Sequence, residues 1–241
     1  MGITVLRLCV LETDVLREEL KGDHKSYGEM FRRLFSRQTQ PVELFVYNVI
    51  DGEYPPVDSK FDGYLVTGSK FDAFSDLEWI LKLKDYLMRL YRAGEKLIGV
   101  CFGHQLLALT LGGEVARSEQ GWGLGVHSYK VEKQEEWMHP PLPIFSLYVS
   151  HQDQVFKLPA GAQSIASSSF CPYAAFTVGN QVLCFQGHPE FTEAYTKALL
   201  DLRVNLLGRD FIDSAIRTME IPEQGQVIAE WIARFIAAGA A

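Results

Sequence analysis

The sequence predicts an α/β protein forming one domain over residues 1–241: a mostly parallel central sheet flanked by helices, with a small antiparallel β section. Three observations predict it. Through Gly113, short apolar runs alternate with helical patterns, the signature of βαβ units and a parallel sheet. One such run passes straight into a tight turn, Gly99-Val-Cys101-Phe-Gly103, and then into a helical pattern. From about residue 114 short β-like pieces follow one another closely, with Gly179-Asn180 between two of them as a hairpin turn.

Taken in order, residues 3–11 read as the first strand, with Cys9 as core filler. Residues 12–25 are charged and read as a loop or frayed helix. Tyr27, Met30, Phe31, Leu34 and Phe35 recur at helical spacing. Val42 to Val49 is a second strand, Asp51 to Asp62 a loop, and Gly63 to Thr67 a third strand ending in Gly68-Ser69. Ser75-Asp-Leu-Glu78 has the form of a capping box, opening a helix whose Ile80, Leu83, Leu87 and Leu90 share a face and which Gly94 stops. The strand before Cys101 and the helix after it end at Gly112-Gly113. Gly121 to Gly125 reads as a glycine-rich loop. Strand-like pieces follow at 126–132, 144–150, 163–168, 173–178 and 182–186. Ala198, Leu199, Leu202 and Leu206 form one closing helical face, and Val227, Ile228, Trp231 and Phe235 another.

Composition narrows the function classes. A net charge of −7, with no basic run or stripe, argues against a nucleic-acid partner. No apolar run approaches a membrane span, and the N-terminus lacks the basic region and cleavage site of a signal peptide, so a cytoplasmic protein is expected. The four cysteines are widely spaced without a C-x-x-C pair, which predicts free thiols and no structural zinc.

The turn at Cys101 carries the chemistry. A nucleophile on a strained strand-to-helix turn needs small residues two before and two after it, here Gly99 and Gly103. The turn lifts the sulfur clear of the sheet at a helix N-terminus, where backbone N–H groups and the helix dipole favour thiolate. Such a thiol needs a base and a group that orients the base. Of six histidines, His24, His104, His127 and His139 have no carboxylate placed to orient them and read as surface or packing residues. His188 follows an apolar strand, Pro189 restricts its backbone to extended conformations, and Glu190 stands two residues on, within reach of the imidazole. The turn at Gly68-Ser69 and the N–H of Phe102 can supply oxyanion donors. All three features follow apolar strands, and the carboxyl ends of strands are where open α/β sheets form sites.

Gly99-Val-Cys-Phe-Gly-His-Gln105, Gln186-Gly-His-Pro-Glu190 and Ser150-His-Gln-Asp153 resemble the class I (triad) glutamine amidotransferases, near the glutaminase domain of GMP synthase. The resemblance implies a flavodoxin-like class I amidotransferase fold with Cys101 as nucleophile, His188 as base and Glu190 as orienting acid. It implies that Gln105 helps hold the glutamine and that Ser150, His151, Gln152 and Asp153 line the pocket for its α-amino and α-carboxylate groups. Spacing alone leaves Gln105 as a polar helix residue and His151 as an edge-strand histidine. The synthetase family usually carries two glycines and a proline at the oxyanion turn, where this chain has Gly68-Ser69-Lys70. The run from Gly68 to Leu81 looks closer to the γ-glutamyl peptidases, which cleave the γ-glutamyl bond of glutathione or its conjugates. Either way Cys101 would form a γ-glutamyl thioester that water hydrolyses, with no metal or organic cofactor. The leaving group, ammonia or a peptide amine, distinguishes the two, and the Gly121–Gly125 loop and residues 70–74 are candidates to shape its site. The expected partner is a small molecule, L-glutamine or a γ-glutamyl compound. A synthetase domain has no room in 241 residues, so an ammonia-accepting synthase would be a separate subunit. A non-catalytic thiol-sensing module is the remaining alternative, and the joint presence of Cys101, His188 and Glu190 argues against it.

Overall fold

A computed structural model describes residues 4–238; residue 3 of the expected first strand lies outside the described residues. The chain runs β1 (Leu6–Glu12), α1 (Glu18–His24), α2 (Tyr27–Phe35), β2 (Val42–Asn48), β3 (Gly63–Val66), α3 (Glu78–Arg92), β4 (Leu97–Val100) and α4 (Phe102–Thr110). It continues through β5 (Glu114–Arg117), β6 (Gly123–Val131), β7 (Ile144–His151), β8 (Asp153–Lys157), β9 (Ala162–Ser167), β10 (Ala175–Val178) and β11 (Val182–Phe185). It closes with α5 (Glu193–Asp201), α6 (Val204–Leu207), α7 (Arg209–Thr218) and α8 (Gly225–Ala237).

Nine strands form one sheet in the order β2-β1-β3-β4-β11-β10-β9-β6-β7. The first five are mutually parallel, and the last four join by antiparallel pairing. β5 and β8 make a separate two-stranded antiparallel sheet. The expected architecture is thus present, with most of the antiparallel section continuous with the main sheet.

Side chains alternate across a strand, so each central strand feeds two cores. Leu8, Val10, Ile98, Leu183 and Phe185 face α8 and α2, where Trp231 and Phe235 are buried. Cys9, Leu11, Leu97, Val182 and Cys184 face α3 and α4, against Leu83, Leu87 and Leu106. That two-sided burial explains the short apolar runs at 8–11 in β1 and along β4 and β11. It also disposes of three thiols: burial raises the pKa of Cys9, Cys171 and Cys184, that of Cys171 to about 12.

Several expectations are corrected. Ser75 does not cap α3: the helix begins at Glu78 behind an extended Leu77 (ψ 135°), and the Ser75 N–H donates to Asp72 O instead. Trp79 at the start of α3 packs on Phe71 and Phe102. Gly123 and Gly125 belong to β6 rather than to a loop; a Cβ on Gly125 would meet Ala215 O of α7 at 2.3 Å, so the glycine admits the helix onto the strand. Leu206 does not share a face with Ala198, Leu199 and Leu202. The chain breaks between α5 and α6, leaving Leu206 73% exposed. Strands β5 and β8 and helix α7 are additional to the sequence reading; β5 is short and largely exposed and gives no apolar alternation.

Candidate active site

The parallel order β1-β3-β4-β11 brings four carboxyl-terminal loops side by side. Register pairs Val66 with Gly99, and Val100 with Phe185, so Gly68, Cys101 and Gln186 emerge along one edge. Cys101 caps α4 at φ 52° and ψ −101°, a conformation costly for a residue with a Cβ. The turn is locked from both sides: Cys101 N–H donates to Phe185 O at 2.9 Å and Gly103 N–H to Thr67 O at 3.2 Å. A Cβ on Gly99 would sit 2.6 Å from the Gly103 carbonyl, and one on Gly103 2.3 Å from Val66 O, so both flanking positions require glycine for close approach.

His188 and Glu190 lie on the neighbouring loop. Nδ1 of His188 is 2.8 Å from Glu190 Oε1, and both side chains are buried. The Phe191 ring stacks on the imidazole at 3.8 Å between centroids and 11° between planes, while His188 N–H donates to Tyr148 O. The ring is therefore held at its edge, face and backbone. Burial disfavours its charged form, but the Glu190 carboxylate and the Cys101 sulfur outweigh burial and push the imidazole up to about 10. A Cβ placed on Gly68 would fall 2.6 Å from His188 Cε1 and 3.6 Å from Cys101 Cβ, so turn, imidazole and thiol converge on one point.

The Gly68-Ser69 turn is fastened to the loop after β1. Thr13 Oγ1 donates to Gly68 O at 3.0 Å, Ser69 Oγ donates to Thr13 O at 2.7 Å, and Lys70 N–H donates to Asp14 Oδ2 at 2.9 Å. Lys70 Nζ also pairs with Asp14 at 2.9 Å. The Ser69 hydroxyl is thereby committed to structure. Among the described residues, the N–H groups of Gly68, Ser69 and Phe102 have no hydrogen-bond acceptor.

Cys101 stands where two clefts meet. The larger, about 460 Å³, is lined by Gln105, Trp122, Ser150, His151, Gln152 and Asp153. Gln105 Nε2 donates to Asp153 O at 2.8 Å and to Gln186 Oε1 at 3.2 Å. Ser150 Oγ and His151 Nε2 are buried without a partner. His151 ends the edge strand β7; burial, then His127, lowers its pKa to about 3, so it is neutral near pH 7. Arg117 bridges Asp153 (3.4 Å) and Asp72 (3.3 Å), and burial followed by Asp72 raises Asp153 to about 6. The smaller cleft, about 60 Å³, is lined by His188, Asp14, Arg17, Tyr195 and Arg203.

The structure thus brings together all eleven site residues expected from the sequence. The four other histidines lie elsewhere: His104 is buried on α4 against Phe176, His127 is half-buried on Phe170, His24 ends α1 on Tyr195, and His139 precedes Pro140. Sequence reasoning missed Thr13, Asp14, Arg17 and Arg203, whereas Trp122 falls in the Gly121–Gly125 stretch it had singled out to shape the site. Thr13 and Asp14 follow an apolar strand and could have been sought by the same strand-end rule; Arg17 and Arg203 carry no local signal.

The glutamine amidotransferase class-I family model matches residues 23–203. The chain is 32% identical over 221 residues to γ-glutamyl peptidase 3 of Arabidopsis thaliana, covering 88% of each. It is 34% identical over 209 residues to γ-glutamyl peptidase 5 of the same plant, covering 83% of each. Among solved structures, a glutamine amidotransferase from Thermotoga maritima superposes with a TM-score of 0.73 at 17% identity, covering 96% of this chain and 98% of the other.

Proposed function

Because the chain belongs to the class I glutamine amidotransferase family, we propose that it hydrolyses γ-glutamyl bonds through a thioester on Cys101. The convergence of the strained Cys101 turn with the buried His188–Glu190 pair at one sheet edge carries this reading. An imidazole whose pKa lies well above neutrality places positive charge beside the sulfur. The sulfur attacks the γ-carbonyl carbon, and the carbonyl electron pair moves onto oxygen. The acceptor-free N–H groups of Ser69 or Gly68 and of Phe102 stabilise that oxyanion. Collapse breaks the carbon–nitrogen bond, and the His188 proton passes to the departing nitrogen. Water then adds to the thioester and gives its proton to His188; glutamate leaves and the thiolate returns. Glu190 holds the ring in register throughout. Gln105 and the Ser150–Asp153 segment hold the glutamyl end, where the unpartnered Ser150 hydroxyl offers a polar contact to substrate.

Purified protein incubated separately with glutamine and with glutathione tests this. Release of ammonia or of cysteinyl-glycine, abolished by Cys101→Ala, is the expected result. Absence of both products, or activity surviving in the variant, overturns it.

A further inference from the structure

Two cations in the clefts have no counter-ion. Lys70 is neutralised by Asp14, and Arg117 by Asp72 and Asp153, but among the described residues Arg17 and Arg203 form no ion pair. Arg203 turns inward at the break between α5 and α6, its N–H donating to Leu200 O at 2.9 Å. Its guanidinium lies over the Trp122 indole, 4.4 Å from the ring centroid, and its Nη1 is buried without a hydrogen-bond partner. Burial lowers its pKa, Tyr27 opposes that, and the nearby Arg17 lowers it further. A guanidinium nitrogen buried without a partner or counter-ion is costly to keep in a protein. An entering carboxylate would relieve that cost with paired N–H···O bonds.

A γ-glutamyl peptide carries carboxylates at both ends, so the position of Arg203 relative to the thiol decides which one it meets. Of the residues the reading above assigns to the glutamyl end, Gln105, His151, Gln152 and Asp153 line only the larger cleft, and Ser150 lines both. His188, which must reach the departing nitrogen, lines only the smaller, and Arg17 and Arg203 line both. Arg203, whose Trp122 seat lines the larger cleft, therefore stands with Arg17 at the junction of the two clefts, next to the side from which His188 protonates the departing nitrogen. We propose that Arg203, supported by Arg17 and seated on Trp122, binds a carboxylate of the leaving group and so selects peptide-like amines over ammonia. The proposal rests on the thioester reading of Cys101 and His188, and it makes Arg203 a specificity-determining residue.

The test compares glutathione with the same tripeptide amidated at its terminal carboxylate, on one enzyme preparation. Wild-type protein is expected to prefer glutathione by about 10- to 100-fold in kcat/KM, the range for a charge-assisted hydrogen bond. Arg203→Met is expected to collapse that ratio towards one, mainly through KM, and Arg203→Lys to restore part of it. A misfolded fraction lowers both rates equally and cancels in the ratio, and the wild-type comparison stands without any variant. Equal turnover of both peptides by wild-type protein overturns the proposal, as does a ratio unmoved by Arg203→Met. Failure of wild-type protein to cleave any γ-glutamyl compound refutes the thioester reading itself, a different outcome from loss of discrimination.

Discussion

Replacing Gly68 by alanine adds one methyl group at the point where turn, imidazole and thiol meet. Gly68 is not in the left-handed region, so the backbone accepts alanine and the effect is one of contact alone. The new Cβ would stand 2.6 Å from His188 Cε1, short of the 3.4 Å at which ordinary contact begins. The imidazole must therefore retreat by about 0.8 Å or the turn must open by as much. Retreat is blocked: Phe191 covers the ring face at 3.8 Å, Glu190 holds Nδ1 at 2.8 Å, and the backbone is tied to Tyr148. Opening the turn breaks the Thr13 bonds to Gly68 and Ser69. Overpacking of this kind costs about 1–3 kcal/mol, which for a chain of this length lowers Tm by about 2–4 °C per kcal/mol. Misplacement of a catalytic group by about 1 Å costs about 100-fold in rate. Gly68→Ala is therefore expected to lose about two orders of magnitude in kcat for γ-glutamyl hydrolysis while still unfolding cooperatively, about 2–12 °C below wild type. Amine release and thermal denaturation on the same sample measure both. A variant with kcat within about threefold of wild type refutes the convergence of turn, imidazole and thiol on this point.

Glu190→Gln keeps the shape but removes the charge that raises His188, and is expected to lower kcat by about 100-fold or more with little change in KM, read by steady-state kinetics. The His188 pKa is raised above its unfolded value, so its stabilising contribution is complete below about pH 6.5 and fades as pH rises towards 10. Wild-type Tm is thus expected to fall over that window more than Tm of Glu190→Gln. His104 has the opposite sign: burial, then His151, lowers its pKa to about 3, so its neutral form stabilises the fold above pH 6.5 and that support is lost as pH falls. His104→Leu is expected to flatten the acid limb of the stability profile, measured by urea unfolding between pH 7 and pH 4. Gly99→Ala, whose Cβ would meet the Gly103 carbonyl at 2.6 Å, is expected to destabilise by about 1–3 kcal/mol or more, because both contacting groups are backbone.

What the sequence revealed depended on how local each signal was. The turn around Cys101 is encoded in five consecutive residues, so Gly99 and Gly103 announced a close approach that the contacts at 2.6 and 2.3 Å display. His188 and Glu190 are two residues apart, and their 2.8 Å contact needed only a strand end to fix it. The continuous burial of residues 8–11 in β1 and of β4 and β11, written as short apolar runs, made the parallel core legible for the same reason. Distance in sequence hid the rest. Thr13 and Asp14 act on Gly68, Ser69 and Lys70 only because β1 and β3 are adjacent. Arg203 reaches Trp122 only because the chain breaks after α5, where a continuous helical face had been expected. The Ser75–Glu78 pattern failed because Ser75 is engaged in a turn with Asp72 and the chain stays extended at Leu77, so the helix starts only at Glu78.

The central claim, a γ-glutamyl thioester on Cys101, is tested most directly by acid-quenching the protein during turnover of glutathione and locating any adduct by peptide mass spectrometry. The account predicts one γ-glutamyl group on the peptide containing Cys101, trapped in wild-type protein and missing from Cys101→Ala. Turnover without an adduct on that peptide, or an adduct on Cys9, Cys171 or Cys184 instead, would contradict it.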